Sequence, residues 1–189
     1  MSFMTGKKRI LILGSSGAGK STLARALGEA TGLPVVHLDR LWWLPGWENR
    51  SREEFDCLLE QELSRESWIM DGNYARTLPQ RLARAQGVVL LEPGRLRCEM
   101  GILHRVLNGG RAVRQDMAPG CPERLDLSFL RWVWNFPAQD GAATAALLEQ
   151  YRQVPVLRLN SRRQANRFLK EVQEDGRIQD GCGHRHGGN

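Results

Sequence analysis

The residues with the clearest chemical signature are those from 14 to 21, which read Gly-Ser-Ser-Gly-Ala-Gly-Lys-Ser. They match the pattern G-x-x-x-x-G-K-[S/T] at every position and lie between a predicted strand and a predicted helix. Glycines at this spacing let the backbone wrap closely around phosphate groups, and the helix N-terminus adds positive potential. We therefore predict a phosphate-binding loop; the alternative is a glycine-rich turn without a ligand.

The side chains of this loop suggest individual roles. Lys20 should reach the outer phosphates of a nucleotide, and Ser21 should bind magnesium. The expected cofactors are therefore ATP and Mg²⁺. The residues expected to contact the nucleotide are Gly14, Ser15, Ser16, Gly17, Ala18, Gly19, Lys20, Ser21 and Thr22.

Two aspartates stand where other short apolar runs end. Asp71 follows the run at 68–70, and Asp39 follows the run at 35–38. Because ligands collect at the carboxyl ends of parallel strands, Asp71 is predicted to hold magnesium or its waters. Asp39 is a candidate to orient or deprotonate an acceptor hydroxyl. For Asp71 the alternative is a helix cap or a turn residue, and for Asp39 it is a capping aspartate.

Aromatic and basic residues supply further candidates. Trp43 and Trp47 lie close to Asp39 in the chain and suit a pocket for a ring-bearing or sugar acceptor; the alternative is that they shield the core. Arg76 is a candidate for gripping the acceptor. The glycine-rich stretch at about 108–124 is predicted to be a lid whose arginines offset charge on the transferring phosphoryl group, although solvated surface arginines are the alternative. These arginines are Arg111, Arg114 and Arg124.

Short apolar runs alternate with helical spacing along the chain. Strands are predicted at 9–13, 35–38, 68–70, 88–91 and 154–159, and helices at 20–30, from 52 onwards, 78–85, 96–107, 129–136, 142–152 and after the last strand. This alternation predicts an α/β fold, a parallel sheet with helices on both faces. We expect one domain over residues 1–173, and a disordered tail at 174–189 because that segment is polar and glycine-rich.

The composition limits the class of protein. With 189 residues, 41% hydrophobic and 25% charged, the chain fits one globular domain. Its apolar runs are too short to cross a bilayer and its start lacks a secretory signal, so we expect a cytoplasmic protein without a membrane partner. Four cysteines without a C-x-x-C pair argue against a zinc site. The net charge of +6 permits nucleic acid as a partner but equally suits a phosphate site.

Longer motifs carry a resemblance to known families. The segment from Asp71 to Gln80 is similar to the Asp-Gly-Phe-Pro-Arg-Thr segment of adenylate kinases, with one extra residue before Arg76. From about residue 9 to 169, the chain more closely resembles the small P-loop kinases known as topology modulation proteins. The matching segments are the phosphate loop, 37–39 with Trp43 and 45–47, 71–74, 116–117 with 120–124, and 132–137.

The resemblance implies a five-stranded parallel sheet of order 2-3-1-4-5, an acceptor site above the second and third strands, and an arginine-bearing lid. The chain departs from adenylate kinases in lacking their Pro-Arg arrangement after Asp71 and Gly72, and its single lid cysteine excludes a zinc-bearing lid. The expected acceptor contacts are Asp39, Trp43, Trp47, Asp71, Gly72, Asn73, Tyr74 and Arg76.

Three functions follow as hypotheses. The leading one is a kinase that transfers the γ-phosphoryl group of MgATP to a nucleotide, a nucleoside or another small acceptor. The second is a nucleotide-dependent regulator that binds DNA, which the basic charge and the family name support but the missing helix-turn-helix pattern does not. The third is an ATPase without a dedicated acceptor. Monomer and homodimer are both compatible with the sequence.

Overall fold

A parallel sheet forms the centre of the computed structural model, which describes residues 3–109, 116–121 and 126–182. The strands in this part of the chain are β1 (Arg9–Gly14), β2 (Val35–His37), β3 (Trp43–Leu44), β4 (Glu48–Asn49), β5 (Trp68–Asp71), β6 (Gly87–Leu91) and β7 (Val156–Leu159). The sheet has the order β2-β5-β1-β6-β7, while β3 and β4 form a separate antiparallel pair. Counting only its own strands, the sheet has the predicted order 2-3-1-4-5.

Helices and two short 3-10 turns surround the sheet. The α-helices are α1 (Lys20–Thr31), α2 (Leu38–Trp42), α3 (Arg52–Leu63), α4 (Leu78–Leu82), α5 (Arg95–Gly109), α6 (Leu127–Asn135), α7 (Asp140–Gln150) and α8 (Arg162–Cys182); the turns are Ala75–Thr77 and Phe136–Ala138. The α/β class predicted from the sequence is therefore confirmed. Among the residues described, no helix is both long and apolar enough to cross a lipid bilayer.

Strand β1 divides the hydrophobic core into two layers. Successive side chains of a strand point to opposite faces of the sheet. Leu11 and Leu13 accordingly pack in the layer that contains α3, and Ile10 and Ile12 pack in the layer that contains α1 and α8. Because both faces are covered, the strands have continuous apolar runs instead of alternating ones.

Local signals set the ends of two helices. Ser51 accepts a hydrogen bond from the Glu54 backbone N–H, and the Glu54 side chain accepts one from the Ser51 N–H, which forms a capping box at the start of α3. Helix α1 ends at Gly32, whose φ of 71° is in the left-handed region that glycine tolerates.

Several predicted boundaries differ from those of the structure. Strand β2 ends at His37, because the buried Leu38 already begins α2. Helix α4 ends at Leu82, since the Gln86 backbone and side chain bind the first residues of β1 and turn the chain toward β6. Helix α8 continues to Cys182 and so includes residues 174–182 of the segment for which a disordered tail was predicted; a helix already formed by packing extends at little cost per residue. Residues 183–189 lie outside the described part.

The part of the predicted lid that the structure describes, residues 116–121, docks on the β3–β4 pair. The Gly46 N–H donates to the Gly120 carbonyl over 3.1 Å, and the Cys121 thiol donates to the Leu44 carbonyl over 3.2 Å. Met117, Ala118 and Cys121 are buried there. Asp116, the first residue of this segment, lines the cleft described below.

Candidate active site

The phosphate loop follows β1 and leads into α1. A Cβ at Gly14 would run into the Leu91 carbonyl oxygen, and one at Gly17 would run into the Cys98 carbonyl oxygen. Only glycine fits at these two positions, because the loop backbone packs directly on β6 and α5. The sequence pattern therefore reflects close packing behind the loop as well as access for phosphates in front of it.

The loop also leaves hydrogen-bond donors for a ligand. Gly19 is the N-cap of α1, with a φ of 93°, and no side chain caps this helix end. The Lys20 Nζ lies 2.9 Å from the Ser15 carbonyl oxygen, which folds the side chain back over the loop. Exposed amides at a helix N-terminus beside an ammonium group suit the phosphates of a nucleotide. The residues present thus fit the predicted ATP.

A cleft of about 890 Å³ opens in front of the loop. Loop residues 16–22 line it, which includes Lys20 and Ser21. Asp39 at the start of α2 and Asp71 with Gly72 at the end of β5 line the same cleft. The structure thus brings residues 16–22 of the predicted nucleotide contacts and both predicted carboxylates to one cavity, as expected for strand ends that meet at one edge of a parallel sheet. Gly14 and Ser15, the other two predicted contacts, do not line it.

Asp71 is held by a buried histidine. Asp71 and His37 are paired in the β2–β5 register, and the Asp71 Oδ1 lies 2.6 Å from the His37 Nδ1. Both side chains are buried, and the contact between them fixes the orientation of the Asp71 carboxylate. The second oxygen of the carboxylate makes Asp71 a suitable ligand for a hard cation.

The donor set fits magnesium in the usual manner of a nucleotide site. Among the described side chains, no three of His, Cys, Asp and Glu converge to hold a metal ion by themselves. Magnesium in such sites takes one or two protein oxygens and completes its shell with phosphates and water. The Ser21 hydroxyl and the Asp71 carboxylate can supply those two oxygens.

Burial and the neighbouring charges shift the pKa of Lys20 in opposite directions. Burial lowers the pKa of Lys20 below its usual value, and the Arg105 guanidinium contributes in the same direction. The Asp71 and Asp39 carboxylates raise it, but less than burial lowers it. The ammonium is therefore placed where added negative charge, such as that of a phosphate, would stabilise its protonated form.

Several predicted acceptor contacts do not line the cleft. Arg76 is exposed and binds Asp56 with both terminal nitrogens, over 2.8 and 2.5 Å. The rings of Trp43 and Trp47 meet edge to face at 5.3 Å and pack on residues 117–121. These three side chains shape the surroundings of the site instead of facing its cavity. The predicted lid residues Arg111, Arg114 and Arg124 lie outside the described residues.

Asn73 and Tyr74, two further predicted contacts, support the site from behind. The Asn73 Oδ1 accepts a hydrogen bond from the Gly14 N–H over 3.0 Å and so ties the end of β5 to the phosphate loop. The Tyr74 hydroxyl donates to the Asp39 Oδ1 over 2.7 Å. Neither residue is part of the cleft lining; Asn73 contacts the first residue of the phosphate loop, and Tyr74 contacts a carboxylate that lines the cleft.

Sequence reasoning missed a basic wall of the cleft. Arg97, His104 and Arg105 of α5 line it together with Gly101. Their spacing places these four residues along one side of a helix, a signal that could have been read from the sequence. Other residues that line the cleft and were given no role are Arg25, Asp116, Ser161 and Arg162.

Comparison of the sequence with known proteins gives a limited result. No family model matches the chain. The uncharacterized protein YqaC of Bacillus subtilis (strain 168) is 44% identical over 70 residues, which are 35% of this chain and 38% of YqaC. The match thus spans little more than a third of either protein, and it does not establish a family.

The similarity to solved structures extends over most of the chain. Shikimate kinase from Acinetobacter baumannii, solved with shikimate, superimposes with a TM-score of 0.55 at 16% identity, covering 93% of this chain and 97% of that one. A putative kinase from Chloroflexus aurantiacus gives 0.51 at 16% identity, covering 89% and 98%. A gluconokinase from Sinorhizobium meliloti gives 0.50 at 19% identity, covering 92% and 97%. At these identities the likeness concerns the fold alone: the chain has the α/β fold of small P-loop kinases.

Proposed function

We propose that the protein is an ATP-dependent phosphotransferase that phosphorylates a hydroxyl group of a small molecule. One observation carries the proposal: the phosphate loop with Lys20 and the carboxylates of Asp39 and Asp71 line a single cleft. A phosphate site alone would suit any nucleotide-binding protein. Carboxylates beside it supply what a transfer reaction needs, which is a place for magnesium and a group to orient the acceptor.

The nucleotide end of the cleft is the phosphate loop. Its amides and Lys20 would hold the outer phosphates of ATP, and Ser21 and Asp71 would hold magnesium. Magnesium would neutralise part of the phosphate charge when bound. The two arginines of the basic wall, Arg97 and Arg105, would add positive charge beside the phosphates, which favours a transition state rich in negative charge.

Asp39 defines the acceptor end. A phosphate acceptor is already ionised and needs no base, whereas a hydroxyl acceptor benefits from a carboxylate that orients it. The hydrogen bond from the Tyr74 hydroxyl to the Asp39 Oδ1 gives this carboxylate a defined direction. These features favour a hydroxyl acceptor over a nucleoside monophosphate.

The structural comparisons support this choice of class. Two of the similar structures are a shikimate kinase and a gluconokinase, and both are small-molecule kinases with α/β folds of this size. The family of topology modulation proteins remains our proposal for the chain's relatives, on the motifs given above. An effect on DNA topology would then be a consequence of a small-molecule reaction.

The test is a transfer assay with ATP labelled at the γ-phosphate. Purified protein is incubated with magnesium and panels of sugars, polyols, hydroxy acids, nucleosides and nucleoside monophosphates, and the products are separated. We expect a labelled phosphate ester in one of the hydroxyl panels. In the Lys20→Ala variant, transfer should fall by about 10²–10³-fold, the cost of removing a group that stabilises developing charge.

Other results would decide against the proposal. Label that accumulates only in inorganic phosphate would indicate an ATPase, and label in a nucleoside diphosphate would indicate a nucleotide kinase. Unchanged transfer by a folded Lys20→Ala variant would refute the assigned role of the loop. Circular dichroism of the variant establishes that it is folded.

A further inference from the structure

Arg81 is a fully buried arginine that the reaction proposed above does not use. Its exposed fraction is 0%. Burial lowers the pKa of Arg81 to about 9, so the guanidinium is still charged at neutral pH. A charged group is costly to bury unless hydrogen bonds replace its water shell. The hydrogen-bond partners of Arg81 should therefore indicate the structural role of its charge.

Those partners are three consecutive backbone carbonyls. The Arg81 Nη1 donates to the Gly72 carbonyl over 2.9 Å, and the Nη2 donates to the carbonyls of Asn73 and Tyr74. The planar guanidinium fork can bind several oxygens in fixed directions, which a lysine ammonium cannot do in the same way. Arg81 thus fixes the turn that follows β5.

The turn needs such an anchor, because its backbone is in an unfavourable conformation. Tyr74 has a φ of 33° and Gly72 has a φ of 127°. A positive φ is uncommon for a residue with a bulky side chain and persists only where the surroundings impose it. The contacts from Arg81 supply that constraint.

The constrained turn directs the Tyr74 ring toward Asp39. The ring packs against Phe55 at 5.3 Å and against Trp42 at 6.0 Å between centroids. Its hydroxyl donates to the Asp39 Oδ1 over 2.7 Å. Burial, followed by the Asp39 charge, raises the pKa of Tyr74, so the hydroxyl stays protonated and acts as the donor.

We propose that Tyr74, held in place by Arg81, is a positioning residue that fixes the Asp39 carboxylate for the acceptor. The proposal rests on the function proposed above, in which Asp39 orients the acceptor hydroxyl. It adds two residues that act through Asp39 and that do not touch the substrate themselves.

Other charged groups surround Asp39 and must be kept constant in a test. Lys20 of α1 interacts with Asp39 electrostatically, and the Asp71 carboxylate of β5 acts on the same tyrosine. None of these groups is altered when only the Tyr74 hydroxyl is removed.

The deciding experiment is an NMR titration of Asp39 in the full chain without any acceptor. Protein carrying ¹³C-labelled aspartate is titrated, and the Asp39 carboxyl signal is assigned by its loss in an Asp39→Asn variant. In Tyr74→Phe we expect the pKa of Asp39 to rise by about one unit, because a hydrogen bond donated to a carboxylate favours its ionised form. Tyr151→Phe, which alters a tyrosine outside the site, is the matched control and should leave Asp39 unchanged.

The role of Arg81 in holding Tyr74 is tested with the Arg81→Lys variant. This substitution keeps the positive charge but removes the planar guanidinium group that binds the three carbonyls. We expect Asp39 to titrate as in Tyr74→Phe; a folded Arg81→Lys variant with a normal Asp39 titration would refute the part assigned to Arg81. Should Arg81→Lys fail to fold, Tyr74→Phe alone decides. An identical Asp39 pKa in wild type and folded Tyr74→Phe overturns the proposal. Because the titration needs no substrate, it can fail or succeed independently of the transfer assay.

Discussion

Lys20 is subject to competing electrostatic influences in the free protein. Burial lowers its pKa, and the two carboxylates of the cleft compensate only in part. Its Nζ donates to the Ser15 carbonyl, which lies in the loop where phosphates would bind. A bound triphosphate would add negative charge at this place and raise the pKa of Lys20 again. Nucleotide binding and protonation of Lys20 are therefore coupled.

This coupling predicts how ATP affinity depends on pH. Free Lys20 loses its proton below the usual value of 10.5, whereas the ATP-bound form keeps it to higher pH. Between these two pKa values, binding must be accompanied by proton uptake. The dissociation constant for MgATP should therefore rise as the pH increases toward 10.5, by at most about tenfold per pH unit. Isothermal titration calorimetry at several pH values measures it.

The matched variant for this prediction is Lys20→Arg. A guanidinium stays charged over the whole range, so the variant should bind more weakly at pH 7 but show a flat pH dependence up to pH 10. Circular dichroism at each pH verifies the fold. A flat profile in the wild-type protein would mean that the pKa of Lys20 is not lowered.

Some residues of the site could be predicted from sequence patterns and others could not. Lys20, Ser21 and Asp71 could be predicted because a motif or a strand end marks them. Arg81 could not, since an arginine in a short polar helix ordinarily lies on the surface. Its burial depends on the Gly72–Tyr74 turn, which only the folded chain brings within reach.

Helix α5 and the phosphate loop are in direct backbone contact. Gly101 faces Gly17, and a Cβ added to Gly101 would lie 2.5 Å from the Gly17 carbonyl oxygen. Real Cβ atoms essentially never approach another atom within 3.0 Å. The same helix carries the basic wall of the cleft. The position of α5 therefore determines both the shape of the loop and the distance of the wall from it.

Replacing Gly101 with alanine tests this contact. The added methyl group should push α5 away from the loop, and such overpacking costs about 1–3 kcal/mol of unfolding free energy. We expect MgATP binding to weaken roughly tenfold, which corresponds to about 1.4 kcal/mol. Urea unfolding and calorimetry measure the two effects.

Gly94→Ala is the control for this prediction, because nothing lies within 4 Å of a Cβ at Gly94, just before the same helix. It should change the unfolding free energy by no more than about 0.5 kcal/mol. Equal ATP affinity in Gly101→Ala and wild type would show that the loop tolerates a displaced α5.

The length of a helix or strand determines whether it can be predicted from the sequence. Helices α1, α3 and α5 have at least three turns of apolar spacing. Both ends of α1 and α5 were predicted to within two residues, and the start of α3 was predicted at residue 52. The β3–β4 pair was not predicted, because each strand has two residues and shows no period. It is held by the docked segment at 116–121, a contact that local sequence does not contain.

The whole molecule places the cleft at the carboxyl edge of its sheet. Apolar runs that alternate with helices predicted a parallel sheet, whereas the strand order was implied only by the resemblance to small P-loop kinases. The lining of the cleft could not be predicted from the sequence, because it is formed by elements from separate parts of the chain. These elements are α1, α2, β5, α5, α8 and the segment at 116–121. A ligand that contacts these elements together must stabilise their common arrangement.

We therefore predict that MgATP raises the melting temperature Tm of the protein. A ligand that binds only the folded state at about 100 times its dissociation constant adds about 2.7 kcal/mol to the unfolding free energy. For a chain of this length, each kcal/mol raises Tm by about 2–4 °C, so Tm should rise by about 5–10 °C. Differential scanning calorimetry with and without MgATP measures the shift, with magnesium alone as the baseline. The Lys20→Ala variant at the same ATP concentration should show a much smaller rise, because its folded state lacks the ammonium that binds the phosphates. An equal rise in both proteins would place ATP elsewhere than in the loop that begins at Gly14.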